Sequence, residues 1–165
     1  NVQTVEALRD LLHSNRHITK LSLIGLEKIQ RDGELGVHID KAGLLSMDSG
    51  LDEVELFEVN GKGELPKCPG FSPRAGELFL RDLFKSENKY KRISLGGLIG
   101  LDGTHARLLL SQIENNNRLE LISIEGCVIH PDFKDVLNKT KEKLYEVIRE
   151  NTNLMSLKGI PMESR

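Results

Sequence analysis

Residues Leu119–Cys127 read Leu-Glu-Leu-Ile-Ser-Ile-Glu-Gly-Cys, and the spacing of the apolar residues in this stretch is the main indication of the fold. Leu119, Ile122 and Ile124 occupy its first, fourth and sixth positions, and a helix-like run over 106–116 precedes them. The alternation of apolar and polar residues predicts a short strand with one buried face. Apolar residues spaced by three or four predict a helix before it. The stretch therefore belongs to a unit that consists of a helix followed by a strand.

The same unit can be found five times along the chain. The equivalent strand residues, spaced by 33, 39, 29 and 35, are Leu21, Val54, Ile93, Ile122 and Leu157. The plainest duplicate is 8–12 (Leu-Arg-Asp-Leu-Leu) against 80–84 (Leu-Arg-Asp-Leu-Phe), and the fifth copy is degenerate, with Gly159 where an apolar residue belongs. One helix and one strand cannot bury their own apolar faces, so the units are expected to stack and share a continuous core.

The pattern of a helix, an Asn and then L-x-x-L-x-L resembles a leucine-rich repeat. It is closest in style to the ribonuclease-inhibitor-like and tropomodulin-like branch with long helices. Cys127 matches the Asn-or-Cys position after the strand of such a repeat. The other units depart from the family there, with Leu26, Val59, Leu98 and Met162. The resemblance covers about residues 4–158 and implies an α/β solenoid of about five irregular repeats, with a parallel sheet on the concave side and helices on the convex side.

An ordinary open α/β domain is the alternative, because it also alternates strands and helices. Fully buried parallel strands usually read as continuous apolar runs. Here charged residues stand inside or beside the strands, namely Lys20, Glu53, Glu55, Arg92 and Glu120. This pattern favours strands with only one buried face.

The patterns predict helices at about 4–15, 40–48, 74–86, 104–116 and 132–150. Strands are predicted near 18–24, 52–57, 90–96, 119–125 and 154–158, all parallel and adjacent in chain order. The helix start signals are Thr4, Asp40, Ser72, Thr104 and Asp132. Asn15, Asn116 and Asn151 fall at helix ends, where tolerance of left-handed geometry is useful. Residues 25–39 are expected to be a connection and 60–73 a loop, and Leu95 and Ile122 are expected in the core.

Length and composition indicate one domain over residues 1–165, and the lack of clear capping segments suggests that it is part of a larger protein. The net charge of −2 gives no electrostatic case for binding nucleic acid or an anionic membrane. No apolar run approaches transmembrane length, so membrane insertion is not expected. Cys68 and Cys127 form no disulfide framework, which favours a reducing compartment such as the cytoplasm. The resemblance adds a host cytoplasm, if the chain is a bacterial effector.

The sequence contains no persuasive catalytic constellation. The spacing Gly97-x-x-Gly100-x-x-Gly103 follows a strand and precedes a helix, but a dinucleotide site has G-x-G-x-x-G. The five histidines are scattered and form no metal-binding spacing. We therefore expect no enzyme, cofactor or metal. The alternative is an enzyme or nucleotide-binding domain on an open α/β fold that uses the Gly97–Gly103 turn.

The outward-facing strand residues are the candidate binding surface, and the expected partner is another protein. They are Lys20, Ser22, Glu53, Glu55, Phe57, Arg92, Ser94, Leu121, Ser123 and Glu125. One predicted row across the sheet is Lys20, Glu53, Arg92 and Leu121. Phe57 and Leu121 are apolar at outward positions and could anchor a polypeptide, unless a neighbouring segment covers them. The resemblance implies settings such as cytoskeletal regulators, innate-immune sensors and bacterial effectors, with further repeats or domains as flanking partners.

Overall fold

A computed structural model describes residues 2–26, 34–59, 80–85, 88–96, 101–127, 129–151, 153–154 and 156–160. The strands are β1 (Lys20–Leu26), β2 (Glu53–Val59), β3 (Arg92–Gly96), β4 (Leu121–Ser123) and β5 (Ser156–Lys158). The helices are α1 (Val2–Ser14), α2 (Glu34–Ala42), α3 (Gly103–Asn115) and α4 (Pro131–Glu150). Residues 80–83 are also helical. The chain is therefore an α/β protein whose helices and strands alternate.

The five strands form one parallel sheet in the order β1-β2-β3-β4-β5. This confirms the predicted order and direction of all five strands. Because strands in chain order show no reversal, the sheet differs from a doubly wound sheet, in which the order reverses at a switch point. Each helix–strand unit thus lies beside the unit that follows it in sequence.

One face of the sheet carries the core. The inward residues on the central strands, and Ile124 directly after β4, are no more than 1% exposed; they are Val54, Leu56, Ile93, Leu95, Ile122 and Ile124. They join a single apolar cluster with helix residues such as Leu12, Leu109 and Phe133. The predicted burial of Leu95 and Ile122 is confirmed. Full burial of one such side chain stabilises a fold by about 1.5–3 kcal/mol, so the shared core is the main source of cohesion between units.

The predicted second helix, 40–48, is wrong, because α2 ends at Ala42. Gly43 adopts φ +62°, the left-handed conformation that favours glycine at a helix end. The N–H groups of Gly43 and Leu44 donate back to carbonyls of the last helical turn at 3.2 Å each. Asp40 therefore lies in the last turn of α2 and does not start a helix. The predicted connection 25–39 is corrected too, since α2 begins at Glu34.

The other predicted helix starts are also displaced. Asp102, and not Thr104, caps α3, because its carboxylate accepts backbone N–H groups of the first turn. α4 begins at Pro131, whose fixed φ suits a first helical position, and not at Asp132. α1 already begins at Val2, ahead of Thr4. Ser72, most of the predicted helix 74–86 and the predicted loop 60–73 lie outside the described residues.

Three asparagines lie at helix ends, and two of them, Asn116 and Asn151, bond to the preceding unit. Asn116 and Asn151 cap the C-termini of α3 and α4 as predicted, but their φ values of −115° and −84° are not left-handed. Their side chains act instead: Nδ2 of Asn116 donates to the Tyr90 carbonyl (2.8 Å), and Nδ2 of Asn151 donates to the Asn116 carbonyl (3.2 Å). Asn15, in the first unit, bonds only to its own turn, at the His17 N–H (3.1 Å). We call Asn116 and Asn151 the asparagine ladder.

Gly159 directly follows β5, lies close to Ile124 and stands where the repeat pattern has an apolar residue. Its φ is +79°, and a Cβ there would lie 2.8 Å from the backbone nitrogen of Glu125. The N–H of Ile124 also donates to the Lys158 carbonyl (2.9 Å). The apparent degeneracy of the fifth unit therefore has a steric cause, because only glycine fits this close approach.

Candidate functional site

The parallel register brings the candidate residues into two rows. The first row consists of Lys20, Glu53, Arg92, Leu121 and Ser156. The second row consists of Ser22, Glu55, Ser94, Ser123 and Lys158. All ten residues are exposed or half-buried, whereas the residues between them on β2, β3 and β4 are buried. We call this surface the outward face, and its first row confirms the predicted one.

On β1 and β2 the polar groups of the outward face satisfy one another. The Lys20 Nζ lies 3.1 Å from a carboxylate oxygen of Glu55 and 3.8 Å from one of Glu53. The Ser22 hydroxyl donates to Glu55 at 2.8 Å. The Ser22 hydrogen bond and the Lys20 ammonium hold the pKa of Glu55 below its ordinary value. The same contact with Glu55 raises the pKa of Lys20, so both groups stay ionised near neutral pH.

On β3 and β4 the outward face is less tightly paired. Arg92, whose side chain is 53% exposed, makes one contact of 3.5 Å with the Glu120 carboxylate. Leu121 is half-buried beside it in the same row. Ser94 and Ser123 are neighbours in the second row, and their short side chains leave the sheet surface low there. This part of the face combines an apolar side chain, small hydroxyls and a cation that is largely open to solvent.

Two candidate residues differ from expectation or lie beyond the description. Glu125 is exposed but lies in a turn, because β4 ends at Ser123 and not at the predicted 125. The backbone of Phe57 pairs with Ile24 and Gly96 in the extended register. The side chain of Phe57 lies outside the described residues, so its role as an anchor stays a prediction.

A polar cleft of about 570 Å³ opens at the edge where the strands begin. We call it the amino-edge cleft, and it is lined by residues 46–52 together with Asn88, Lys89 and Arg118. Sequence reasoning missed it, because its walls are irregular turns from three different units. Gly50 is required there, since a Cβ would lie 2.2 Å from the Arg16 carbonyl oxygen.

Side chains from the third unit hold the turn that forms one wall of the cleft. The buried carboxylate of Asp82 accepts the N–H of Leu45 (2.8 Å) and the hydroxyl of Ser46 (2.6 Å). The Tyr90 hydroxyl donates to the Leu45 carbonyl. Burial raises the pKa of Asp82, although these hydrogen bonds oppose the shift. Both backbone polar groups of Leu45, its N–H and its carbonyl, are thus hydrogen-bonded by the third unit.

Cations complete the support of this turn. Lys89 donates to the Met47 carbonyl and to the Ser49 hydroxyl (3.1 Å), and burial lowers the pKa of Lys89. The guanidinium of Arg16 donates two hydrogen bonds, of 2.8 and 3.0 Å, to the Asp48 carboxylate. Lys89 and Asp48 are therefore parts of the scaffold of the cleft.

An apolar groove of about 310 Å³ runs between α3 and α4. Leu110, Val136, Leu144 and Val147 line its floor. A Lys143–Glu114 ion pair of 3.3 Å spans one end. The groove lies on the helical side of the protein and shares no residue with the outward face.

The glycine turn considered for nucleotide binding is described only in part, because 97–100 lie outside the described residues. Gly103 packs closely on α4, since a Cβ there would be 3.2 Å from Val136 Cγ2. The Asp102 carboxylate accepts the N–H groups of Thr104 (2.9 Å) and His105 (3.3 Å). A carboxylate therefore already bonds to N–H groups at the α3 N-terminus, where a phosphate would otherwise be favoured.

Among the described residues, no group of three or more His, Cys, Asp or Glu is placed to hold a metal ion. None of the helices in that part of the chain is long and apolar enough to cross a membrane. No protein-family model, curated protein or solved structure matches this chain. Function therefore has to be inferred from the geometry of the described residues.

Proposed function

We propose that this chain is a non-catalytic protein-interaction module that binds a polypeptide partner through the outward face. In this proposal the units form a leucine-rich-repeat-like solenoid with the outward face on its concave side. The observation that carries the proposal is the pair of residue rows that continue in register across five parallel strands, on the face opposite the core.

The unreversed strand order supports a binding scaffold over an open α/β enzyme. In doubly wound sheets, ligands bind in the crevice at the carboxyl ends of the strands where the strand order reverses. A sheet in the order β1-β2-β3-β4-β5 has no such crevice within its described strands. Its extended surface instead suits a partner that crosses several strands, as in stacked-repeat proteins.

The composition of the outward face suits a polypeptide. Leu121, on the fourth strand, offers an apolar anchor, and the neighbouring Arg92 offers an accessible cation that can orient a partner. Lys20 and Glu55 are already held by mutual contacts, so fewer side-chain rotamers must be fixed on binding. Each row contains charges of both signs, and this mixture gives no preference for nucleic acid.

Leu121→Ala tests the proposed anchor. A partner is first captured by affinity purification, and its affinity for purified variants is then measured by titration calorimetry. We expect Leu121→Ala to weaken binding by about 1–3 kcal/mol, or roughly 5- to 150-fold. The matched control is Leu110→Ala, which truncates another half-buried leucine in the groove between α3 and α4. If Leu110→Ala loses binding while Leu121→Ala binds normally, the binding site lies on the helical side and the proposal is wrong.

Charge reversal tests the orienting role of Arg92. Arg92→Glu should slow association, more strongly at low ionic strength, because exposed charges steer encounter and are screened by salt. Arg149→Glu makes the same change at an exposed position of α4 and should leave the association rate nearly unchanged. Equal effects of both variants would indicate a response to net charge alone and would count against the outward face.

Thermal denaturation with a panel of nucleotides separates the proposal from the enzyme alternative. A ligand that binds only the folded state raises the melting temperature by mass action. We expect no rise for any nucleotide. A rise that saturates with nucleotide concentration would instead favour a nucleotide site at the Gly97–Gly103 turn.

A further inference from the structure

The amino-edge cleft lies in the middle of the sheet. Its lining comes from the turns that precede β2, β3 and β4, and it shares no residue with the outward face. A further unit stacked on β1 or β5 would therefore leave the cleft open. Its volume of about 570 Å³ falls within the range of roughly 300–1,000 Å³ that small-molecule sites occupy.

The charged side chains that line the cleft balance one another. Among the described residues they are Asp48, Asp52, Lys89 and Arg118. Two of them are already used by the scaffold, because Asp48 is bonded to Arg16 and Lys89 is bonded to Met47 and Ser49. Asp52 and Arg118 therefore carry the charges that remain for a ligand, one of each sign.

The carboxylate of Asp52 is open to a cationic donor. The backbone of Asp52 is fixed at the start of β2, because its N–H donates to the Thr19 carbonyl (2.9 Å) and its carbonyl accepts the Lys91 N–H (2.7 Å). No donor in the described part of the chain is bonded to its carboxylate oxygens. Since a carboxylate only accepts hydrogen bonds, a ligand ammonium is the group that satisfies both its charge and its lone pairs.

The guanidinium of Arg118 is open to an anionic acceptor. Within the described residues it makes a single hydrogen bond, of 3.4 Å, to the Asn88 carbonyl. A guanidinium has five N–H donors in a planar fork that matches a carboxylate. The backbone that carries Arg118 is held in place, because Oδ1 of Asn116 accepts its N–H (3.0 Å) and Oδ1 of Asn88 accepts the N–H of Asn117 (2.7 Å). Arg118 is thus a positioned cation with donors to spare.

The sheet register sets the length of ligand that can join these two groups. The Asp52 carbonyl accepts the Lys91 N–H, and the Lys91 carbonyl accepts the Glu120 N–H, so these three residues lie level across the sheet. Arg118 lies two residues before Glu120, so its backbone is about two strand spacings, or roughly 10 Å, from that of Asp52. Both side chains reach into the cleft and shorten this gap. A ligand whose charged groups are several bonds apart, as in a dipeptide, fits it better than an α-amino acid.

We propose that the amino-edge cleft binds a zwitterionic small molecule of about dipeptide size, with its ammonium on Asp52 and its carboxylate on Arg118. The balanced lining disfavours ligands of a single charge. A polyanion such as a nucleoside phosphate would lie beside Asp48 and Asp52, and a simple cation would lie beside Lys89 and Arg118. This proposal does not rest on the proposed partner binding at the outward face.

The expected affinity is modest. The walls of the cleft are held by hydrogen bonds before a ligand arrives, so little ordering is needed on binding. Arg118 is exposed, however, and ion pairs that water can reach are weak. A dissociation constant on the order of millimolar is therefore expected for a small zwitterion.

Ligand-detected NMR titration of the full chain with diglycine, up to about 50 mM, tests the proposal over the millimolar range. N-acetyldiglycine lacks the ammonium, and diglycine amide lacks the carboxylate. Each should bind at least about tenfold more weakly than diglycine, because each leaves one charged group of the cleft without its partner. No binding of diglycine, or equal binding of the three compounds, would overturn the proposal. Tighter binding of inorganic phosphate would also overturn it and would indicate an anion site.

Two variants assign the ligand groups to their partners. Asp52→Asn should weaken diglycine binding at least about tenfold and remove the advantage of diglycine over N-acetyldiglycine. Arg118→Gln should remove the advantage of diglycine over diglycine amide. Asp132→Asn and Arg149→Gln make the same changes at exposed positions of α4 and should leave binding unchanged.

Far-UV circular dichroism checks that both cleft variants are folded, and if one is not, the blocked compounds on the wild type decide. Folded Asp52→Asn and Arg118→Gln proteins that bind diglycine like wild type would place any binding elsewhere and refute the assignment.

Discussion

The asparagine ladder predicts a graded loss of stability when its members are truncated. Asn116 is fully buried, and its side-chain amide makes two hydrogen bonds with the backbone. Nδ2 donates to the Tyr90 carbonyl (2.8 Å), and Oδ1 accepts the Arg118 N–H (3.0 Å). Asn116→Ala leaves the buried Tyr90 carbonyl without this partner, whereas water can reach the more exposed Arg118. An unsatisfied buried group costs about 1–3 kcal/mol, so Asn116→Ala should lower the free energy of unfolding by about 2–4 kcal/mol in total.

The equivalent asparagines provide matched controls, because they differ in burial. Asn151 is half-buried, and its bonds to two carbonyls are longer, at 3.2 and 3.4 Å. Asn151→Ala should therefore cost about 1 kcal/mol, the usual net value of a hydrogen bond. Asn15 is exposed, and its side chain accepts the N–H of the nearby His17. Asn15→Ala should stay within about 0.5 kcal/mol of wild type.

Urea denaturation followed by circular dichroism gives the free energy of unfolding of the three alanine variants, Asn116→Ala, Asn151→Ala and Asn15→Ala. A shift of the midpoint at constant m-value reports stability alone. Asn116→Asp adds a pH test, since a protonated carboxyl can donate to the Tyr90 carbonyl and a carboxylate cannot. This variant should therefore regain part of the lost stability on acidification. The reasoning fails if Asn116→Ala lies within about 0.5 kcal/mol of wild type, or if Asn15→Ala is the most damaging of the three.

Three further predictions concern the core, the supporting turn and the last strand. Ile122→Ala should destabilise by about 2–5 kcal/mol in urea denaturation through transfer and cavity terms, and a loss below about 1 kcal/mol would contradict its core position. Burial raises the pKa of Asp82, so the folded state binds more protons than the unfolded state between the two pKa values, and this group makes stability fall as pH rises. Asp82→Asn can accept from Leu45 and donate to Ser46, so its stability relative to wild type should increase from pH 4 to pH 7; a constant difference would contradict this. Gly159→Ala should cost about 1–3 kcal/mol through its positive φ, and a melting temperature like that of wild type would show that the backbone can adjust.

Much of the sheet could be predicted from local pattern. The alternation of apolar and polar residues assigns each strand residue to one face, and equal offsets from anchors such as Val54 and Ile93 predict which residues become neighbours. The row that begins with Lys20 and Glu53 follows from these equal offsets, provided that the strands are parallel and adjacent in chain order. Helix starts were less predictable, since Asp40, Thr104 and Asp132 are all acceptable caps, and the choice among them depended on neighbouring residues.

Burial and long-range contacts required the tertiary structure. Asp10 and Asp82 occupy the same place in a nearly identical five-residue stretch, yet Asp10 is exposed and Asp82 is buried. The difference arises because Asp82 meets the turn at Leu45 of the preceding unit, whereas the described residues place no unit before α1. The amino-edge cleft has the same origin, as its walls come from turns far apart in sequence.

The helix–strand unit, the face of each strand residue and the asparagines at the helix ends follow from local sequence pattern, because they depend on spacing over a few residues. Three features follow only from the folded arrangement: which copies of a repeated residue are buried, what the asparagine side chains bond to, and why Gly159 replaces an apolar residue. They do so because burial depends on the neighbours on both sides of a unit. Identical local patterns therefore meet different surroundings in the middle of the sheet and at its ends.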